Sequence, residues 1–334
     1  MPQKTRVLTL DPEFPDEIAI SRGAKILRAR GLVAFPTETV YGLGAAAIWD
    51  EAVAGIFRAK GRPAFNPCIV HVSDIEMARG CVDDWPELAQ RSAERFWPGP
   101  LTLVLPKAPT ISKLATGGGS TVAVRMPASL VALRLIEKVA LPIAAPSANR
   151  SNHVSPTTAN HVLDDLDGLI DLVLDAGPTS VGLESTVLDL TQTVPVVLRP
   201  GSITAEEISA ALGIEIAEHF QSEAISSPGL LPIHYAPAIP AFRVESNDDL
   251  ARISWPDRAT VFLFDPHHVE LPANVRVLSF ADPDEAGRSL YRCLRECEAD
   301  GSTLIVVAMP EKGSPSWRAV RDRLTKATKP LLFS

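Results

Sequence analysis

The 334-residue sequence lacks the features that mark several classes of protein. None of its four cysteines lies in a C-x-x-C pair, so we expect reduced thiols and no structural zinc site. No apolar run reaches the roughly 18 residues of a membrane span, and no apolar signal-peptide segment opens the chain. These absences predict a cytoplasmic protein without a membrane partner. The cysteines are Cys68, Cys81, Cys293 and Cys297.

Several motifs of nucleotide binding and catalysis are also absent. The sequence contains no G-x-x-x-x-G-K-[ST] phosphate loop, no H-E-x-x-H metal motif and no G-x-G-x-x-G dinucleotide motif. The segment "PTSVG", residues 178–182, lacks the first glycine of a nucleophile elbow. An enzyme with this sequence has to work by another arrangement, and we expect neither a metal held by protein side chains nor an organic cofactor.

Composition and charge are those of a soluble globular protein. Hydrophobic residues make up 46% and charged residues 22% of the sequence, and its length allows two domains. The net charge of −8 argues against a broad basic face for unspecific nucleic-acid binding. It leaves a local basic cleft open, because net charge says nothing about how charges are distributed.

Hydrophobic periodicity predicts an α/β fold over residues 1–212. Helical spacing covers residues 16–30, a second helix is expected from an N-cap at Asp50 to a stop at Gly61, and another begins at about Thr204. Apolar segments such as "LVAFP", "CIVHV", "LTLVLP" and "TVAVRMP" predict strands. Because helices alternate with strands early and strands cluster later, we expect a mixed, twisted open sheet.

Residues 213–240 interrupt this pattern. They lose periodicity and contain Pro228, Pro232, Pro237 and Pro240, which favour an extended interdomain linker. We expect this linker to act as a lid. Beyond it, residues 241–334 combine the strands "TVFLF", "VRVLSF" and "TLIVVAMP" with two helices, which predicts a smaller, Rossmann-like α/β domain.

Six polar clusters lie beside predicted strands and helices of the first domain. Loops at strand ends of α/β sheets converge on ligands, and three arginines with one lysine would form an anion site there. Hydroxyls and an amide nearby suit a nucleotide plus a small carboxylate. The clusters are "PTETVYGLG" with Thr39, "KGRPAFNPCIVHV" with Lys60, Arg62, Asn66 and His71, "STVAVRMP" with Thr121 and Arg125, "APSANRSNHVSPT" with Ser147, Asn149 and Ser155, "LESTVLD" with Ser185, and "VLRPG" with Arg199.

Each cluster also has a purely structural interpretation. Lys60 and Arg62 at a helix C-terminus can simply complement the helix dipole, and His71 can be a hydrogen-bonded core histidine. Arg125 can be an ordinary strand-edge charge, and "SNHVSPT" can form a turn and helix cap. In "PTETVYGLG", Gly42 and Gly44 can form a turn or let the backbone pass close to a ligand. No single cluster decides between these interpretations, but six in one domain favour a ligand site.

The ordered motifs resemble a known family. "PTETVYGLG", "KGRP" with "NP" and "IVHV", "FWPGPLTLVL", "VAVRMP", "APSAN" and "ESTVLD" resemble the YrdC-type threonylcarbamoyl-AMP synthases over roughly residues 16–205. "SPG" followed by "HYAP" resembles their long, two-domain form. The resemblance implies a YrdC-like fold and a nucleotidyltransferase that makes L-threonylcarbamoyladenylate and pyrophosphate from L-threonine, bicarbonate and ATP. The product would serve threonylcarbamoyladenosine modification of tRNA beside the anticodon.

The resemblance also implies a role for each matched residue. Lys60, Arg62, Ser147 and Asn149 form the family's catalytic signature, with Lys60 near the phosphates. Thr39, His71, Arg125, Ala145 and Ser185 would bind L-threonine, with Thr37 and Glu38 as support. Arg62, Asn66, Thr121, Ser147, Ser155 and Arg199 would bind ATP, and Tyr235 or His234 would reach back over the nucleotide from the linker.

The same resemblance implies Mg²⁺ that arrives with ATP, and downstream proteins that transfer the threonylcarbamoyl group to tRNA. Transfer RNA itself is a further candidate partner. The chief alternative is a module that binds double-stranded RNA or tRNA without chemistry. A carbamoyl-transfer enzyme ranks third, because such enzymes carry zinc-finger regions for which this chain has no cysteine pairs.

Overall fold

The computed structural model describes residues 4–63, 65–218, 235–264 and 269–333, which form two compact units. The first unit contains most of the chain up to residue 218. The second contains the described residues from 235 onward together with Asn152–Val154 and Val181–Leu183. Residues 219–234 of the predicted linker, including His234, lie outside the described residues, so the linker's course and its action as a lid stay predictions.

Strands and helices alternate through both units. The strands are β1 (Arg6–Thr9), β2 (Val33–Pro36), β3 (Tyr41–Ala46), β4 (Ile69–His71), β5 (Leu101–Pro106), β6 (Thr121–Arg125), β7 (Ile143–Ala144), β8 (Leu172–Asp175), β9 (Thr186–Asp189), β10 (Val196–Arg199), β11 (Ala217–Glu218), β12 (Ala241–Val244), β13 (Ala259–Leu263), β14 (Arg276–Ser279), β15 (Leu304–Ala308) and β16 (Lys329–Pro330). The α-helices are α1 (Glu17–Arg28), α2 (Asp50–Lys60), α3 (Ile75–Arg79), α4 (Glu87–Phe96), α5 (Leu130–Val139), α6 (Ala159–Leu166), α7 (Ala205–Leu212), α8 (Pro283–Ala299) and α9 (Arg318–Ala327).

The first unit is built on one sheet in the order β1-β8-β2-β3-β7-β4-β6-β5-β9-β10-β11. Parallel pairs such as β4 with β6 lie next to antiparallel pairs such as β5 with β6, which confirms the expected mixed sheet. Buried apolar side chains cover both faces: Val33 and Phe35 of β2 belong to one core cluster and Ala34 to another. This alternation along a strand is what a sheet buried on both sides requires.

Two aromatic side chains from separate strands meet over one face of the first unit's sheet. Phe35 on β2 and His71 on β4 are separated by the strands β3 and β7. Their ring centroids are nevertheless 6.2 Å apart in an edge-to-face contact. The two side chains therefore reach towards each other across the intervening strands.

The stretch "PTETVYGLG" forms a β-hairpin, whereas its glycines had suggested a turn or a ligand-facing loop. β2 and β3 pair antiparallel, with Val33 opposite Gly44 and Pro36 opposite Tyr41, and residues 37–40 connect them. A Cβ atom added to Gly44 would come within 2.7 Å of Phe35 Cε1 and 3.0 Å of Ile143 Cγ2. At Gly44 the missing side chain thus makes room for the core.

The ends of α2 show one correct and one wrong prediction. The helix begins at Asp50 itself, with Trp49 at the cap position and no side-chain cap bond. The Asp50 carboxylate accepts a hydrogen bond from the Ser112 hydroxyl instead, so it does not serve as the expected N-cap. Gly61 ends the helix with a left-handed φ of 60°, as expected. This stop fixes where Lys60 and Arg62 leave the helix.

The second unit contains a parallel sheet in the order β14-β13-β15-β12-β16. The predicted strands β13, β14 and β15 and both predicted helices, α8 and α9, are present, so the Rossmann-like α/β pattern is confirmed. β12 and the two-residue β16 were not expected. Cys293 and Cys297 lie on the buried side of α8 as free thiols, in agreement with the packing role that their spacing indicates.

Among the described residues, no helix has both the length and the apolar composition that crossing a membrane requires.

Candidate active site

Arg125 lies at the end of β6 with its guanidinium buried and held by three oxygen atoms. Its Nε donates to the Gly99 carbonyl at 3.1 Å, and its Nη1 donates to the Thr39 hydroxyl at 2.9 Å. Its Nη2 forms an ion pair with Glu38 Oε1 at 2.6 Å. The hairpin turn between β2 and β3 is thereby tied to β6, and two residues assigned to threonine binding meet directly.

His71 lies beside Arg125, because the two residues are in register on the neighbouring strands β4 and β6. Burial and, to a lesser extent, the charge of Arg125 lower the pKa of His71 to about 3, so its ring is neutral at physiological pH. Its Nδ1 makes no hydrogen bond to another described residue. A core histidine with a purely structural role would have that atom paired, so the geometry favours a ligand contact here.

Lys60 ends α2, and its ammonium is directed at the segment that contains Ser147 and Asn149. Its Nζ donates to the carbonyl oxygens of Ser147 and Asn149 and lies 3.4 Å from Asn149 Oδ1. The carbonyl of Lys60 accepts a bond from the Ser151 N–H at 2.9 Å. An ammonium has three hydrogens, and each has an acceptor oxygen of this loop within reach. Contact of Lys60 with phosphates stays a prediction.

The electrostatics of Lys60 have two opposing parts. Burial and, secondarily, the neighbouring Arg62 charge lower the pKa of Lys60 well below its ordinary value. The three acceptor oxygens around Nζ favour the protonated form, because only an ammonium donates to all three. The protonation of Lys60 therefore depends on its hydrogen bonds to the segment that contains Ser147 and Asn149.

Arg62 is buried just beyond α2 and binds the segment that follows it. Its Nε donates to the Asn66 carbonyl at 3.2 Å, and its Nη2 donates to Asn66 Oδ1 and to the Pro67 carbonyl, both at 2.7 Å. Asn66 is fully buried, and its Nδ2 makes no hydrogen bond to another described residue. A buried amide donor without a partner is costly, so Asn66 fits a place where a ligand supplies the acceptor.

The glycine-rich loop before β6 packs against the same segment. Gly117 has a φ of 60°, and a Cβ atom there would come within 2.4 Å of the Phe65 carbonyl oxygen, so only glycine allows this approach. Thr121 begins β6 directly after this loop, whereas Arg125 ends the strand. Four residues of strand span about 13 Å. Thr121 and Arg125 thus lie at opposite ends of β6, and their assignment to ATP and to threonine stays a prediction.

Ser185 and Arg199 connect the residues assigned to the two substrates. The Arg199 guanidinium donates from Nε and Nη2 to the Ser185 carbonyl at 3.1 and 2.9 Å, and from Nη2 to Ser185 Oγ at 3.1 Å. Ser185 had been assigned to threonine and Arg199 to ATP. These two assigned residues are therefore in direct contact in the first unit, and the assignment of the two sets to adjoining parts of one site stays a prediction.

Three further assigned residues have defined positions. The Ala145 N–H donates to the Ile69 carbonyl at 2.9 Å, which places the backbone after β7 beside β4. The Ser155 hydroxyl donates to Glu184 Oε1 at 2.6 Å, and both side chains are buried. Tyr235 belongs to the second unit, where its ring stacks on Tyr291 at a centroid distance of 5.5 Å. Contact of Tyr235 with ATP stays a prediction.

The charged side chains of the candidate site suit an anion. Within the described part of the chain, no three His, Cys, Asp or Glu side chains are arranged to hold a metal ion. The buried cations Lys60, Arg62 and Arg199 accompany the residues assigned to ATP. Buried guanidinium and ammonium groups suit the oxygen atoms of an anion such as a phosphate.

Comparison with known proteins identifies the family. A family model for Sua5, YciO and YrdC proteins, described as telomere recombination, matches residues 25–201, and the threonylcarbamoyl-AMP synthase C-terminal domain matches residues 203–328. The threonylcarbamoyl-AMP synthase of Pyrococcus abyssi is 43% identical over 324 residues, or 94% of this chain and 95% of that protein. The chain belongs to the threonylcarbamoyl-AMP synthase family.

A further relative and a solved structure support the assignment. The threonylcarbamoyl-AMP synthase of Bacillus subtilis is 50% identical over 225 residues, which cover 66% of this chain and 65% of that protein. The crystal structure of Pyrococcus abyssi Sua5 complexed with L-threonine matches with a TM-score of 0.88 at 39% identity, over 98% of this chain and all of that chain (100%). The long, two-domain form and its fold are confirmed.

Sequence reasoning missed the importance of two buried carboxylates in this synthase-family site. Glu38 pairs with Arg125 but had been considered only as support, and Glu184, which accepts the Ser155 hydroxyl, was not singled out. Both precede an assigned residue, Thr39 and Ser185. A buried carboxylate needs a hydrogen-bonding or charged partner. The presence of a glutamate in a motif that is expected to be buried was therefore the signal that could have identified Glu38 and Glu184.

Proposed function

We propose that the chain is a threonylcarbamoyl-AMP synthase, which converts L-threonine, bicarbonate and ATP into L-threonylcarbamoyladenylate and pyrophosphate. The observation that carries the proposal is the buried contact of Arg125 with Thr39 beside a neutral His71. A guanidinium, a hydroxyl and an imidazole suit the carboxylate and the hydroxyl of threonine. The relative from Pyrococcus abyssi that was solved with L-threonine supports this assignment.

In this proposal, the side chains divide between the two substrates. Arg125 pairs with the threonine carboxylate, Thr39 and His71 contact its polar groups, and Ser185 with the backbone at Ala145 completes the pocket. The residues that hold ATP are Arg62, Asn66, Thr121, Ser147, Ser155 and Arg199, with Tyr235 as a further contact. The unpaired Nδ2 of Asn66 and Nδ1 of His71 support the division, because each lies among residues assigned to one substrate.

The chemistry needs no protein nucleophile. The amine of threonine reacts with bicarbonate to give a carbamate, with loss of water. A carbamate oxygen then attacks the α-phosphate of ATP in line, and pyrophosphate leaves with the electron pair of the broken P–O bond. The protein aligns the reactants and stabilises negative charge with the buried guanidinium groups of Arg62 and Arg199.

Magnesium enters this proposal as part of the substrate. The described residues offer no carboxylate cage for Mg²⁺, and Mg²⁺ in nucleotide sites is commonly bound by substrate phosphates and water. We therefore assign it to Mg-ATP. The downstream partners in the proposal are cytoplasmic proteins that transfer the threonylcarbamoyl group to tRNA.

The alternative of an RNA-binding module fits the geometry poorly. Binding to a phosphate backbone needs exposed cations that neutralise phosphates. Lys60, Arg62, Arg125 and Arg199 are between 2% and 7% exposed and engaged in the contacts above. Buried cations of this kind are better suited to bind a small enclosed anion than the phosphate backbone of an RNA duplex.

The proposal is tested by measuring pyrophosphate release from Mg-ATP with the purified protein. Release that requires both threonine and bicarbonate, and that stops when either is omitted, is the expected result. If the protein binds RNA in a salt-sensitive way and releases no pyrophosphate in response to threonine, the RNA-binding alternative is correct and the enzyme proposal is wrong.

A further inference from the structure

Glu38 is the counter-ion of Arg125 inside the candidate site. Its Oε1 lies 2.6 Å from Arg125 Nη2, and the two side chains are 9% and 3% exposed. Its Oε2 accepts a hydrogen bond from the Ala128 N–H at 3.0 Å, whereas Oε1 takes part in the ion pair without a hydrogen bond to a described residue. The carboxylate is therefore held in place from two directions, by the side chain at the end of β6 and by the backbone just beyond it.

The guanidinium of Arg125 keeps part of its donor capacity for a ligand. It has five N–H bonds, and the hydrogen bonds to Gly99 and Thr39 use two of them. Nη2 forms the ion pair with Glu38 Oε1 but makes no hydrogen bond to a described residue. The remaining three N–H bonds, one on Nη1 and two on Nη2, are available to a carboxylate. A ligand carboxylate bound there would lie close to the Glu38 carboxylate, since both would share one guanidinium.

The net charge around Arg125 then decides which ligand this guanidinium accepts. The charges of Glu38 and Arg125 cancel, and the neighbouring His71 is neutral. A ligand with a carboxylate alone would bring an uncompensated negative charge into a buried place beside Glu38, which is costly. An amino acid brings its own ammonium group and adds no net charge. The neutral pair of Arg125 and Glu38 is thus matched to a zwitterion.

We propose that Glu38 is a specificity-determining residue that makes the Arg125 pocket select amino acids over carboxylates without an amino group. The proposal rests on the proposed function, because it assumes that Arg125 receives the carboxylate of threonine. It extends that function, since Glu38 acts through charge rather than as one of the residues assigned to threonine.

The test compares L-threonine with 3-hydroxybutyrate, which has the same skeleton without the amino group. Titration calorimetry measures the dissociation constants of both ligands for the natural protein and for Glu38→Gln, which keeps the shape of the side chain and removes its charge. We expect weaker threonine binding and tighter 3-hydroxybutyrate binding in Glu38→Gln, so that the preference for threonine falls by about tenfold or more.

Matched variants separate charge from structural damage. Glu51→Gln removes the carboxylate of an exposed ion pair with Arg30 and should leave both affinities unchanged. Glu38→Asp keeps the charge and should keep the preference, even where the shorter side chain weakens both ligands. A Glu38→Gln protein that binds both ligands more weakly by the same factor, or that does not fold while Glu38→Asp loses the preference, overturns the inference.

The outcomes also separate this inference from the proposed function. If the natural protein binds no threonine and releases no pyrophosphate with it, the proposed function fails. If the natural protein does both and Glu38→Gln leaves the ratio of the two dissociation constants unchanged, the proposed function stands and only the role of Glu38 fails.

Discussion

The hydroxyl of Thr39 lies 2.9 Å from Nη1 of Arg125, although 86 residues separate the two in the sequence. The contact joins the turn of a β-hairpin to the end of a strand in the same sheet. Because Arg125 is also bound to Gly99 and Glu38, its guanidinium has one fixed position. A preformed cation of this kind binds a carboxylate at low entropic cost.

Replacing Thr39 by valine tests this contact, because valine keeps the branched shape and lacks the hydroxyl. We expect the KM for threonine to rise about tenfold or more, since a hydrogen bond to a charged group contributes roughly 1.5–3 kcal/mol. The KM for ATP should change little. Thr39→Ser, which keeps the hydroxyl, serves as the control. An equal rise in the KM values for threonine and ATP would contradict the proposal that Thr39 contacts only the threonine substrate.

Arg62→Ala tests the cationic part of the nucleotide site. Pyrophosphate release should fall by about 10²-fold or more, because a positioned cation in a site of this kind contributes several kcal/mol to transition-state stabilisation. Arg30→Ala, at an exposed arginine that pairs with Glu51, is the control and should release pyrophosphate normally. Near-normal release by Arg62→Ala, measured on protein whose unfolding temperature is unchanged, would remove Arg62 from the site.

Lys60→Met tests whether Lys60 shapes the loop or contacts phosphates. Methionine leaves the Ser147 and Asn149 carbonyl oxygens without their donor, so the free energy of unfolding should fall by about 1–3 kcal/mol together with activity. Urea unfolding and pyrophosphate release measure the two effects. Lys113→Met, at an exposed lysine, should change neither. Lost activity at unchanged stability would instead place Lys60 at the substrate.

The lowered pKa of His71 predicts a pH dependence of stability. Between its ordinary value of 6.5 and its folded value of about 3, the unfolded chain binds a proton that the folded chain does not. Stability therefore decreases as the pH falls through this window, and increases as it rises. In His71→Asn this part of the dependence should be absent when urea unfolding is followed from neutral to mildly acidic pH. The exposed His153→Asn should retain it.

The sequence predicted those helix ends that are determined by residues close to them in the chain. Gly61 ends α2 in a left-handed conformation, and Thr204 with Glu207 forms a capping box at the start of α7. β3 was missed because all six residues of "YGLGAA" are buried and two are glycines. Such a strand has neither the alternation nor the propensity by which strands are recognised.

The partners inside the site could not be predicted in the same way. Residue types and the family resemblance selected Arg125, Lys60 and Ser185, but their contacts depend on strand order and register. The pairing of Glu38 with Arg125 and the direction of the Lys60 ammonium follow from the register of strands far apart in the sequence. No local pattern carries that information.

Mass spectrometry of the reaction mixture tests the central claim most directly. The protein is incubated with L-threonine, Mg-ATP and ¹³C-labelled bicarbonate, and the mixture is examined for threonylcarbamoyl-AMP. The account predicts an adenylate that carries the label and that disappears when threonine, bicarbonate or ATP is omitted. ATP turnover that leaves no labelled adenylate, or no turnover at all with folded protein, would contradict it.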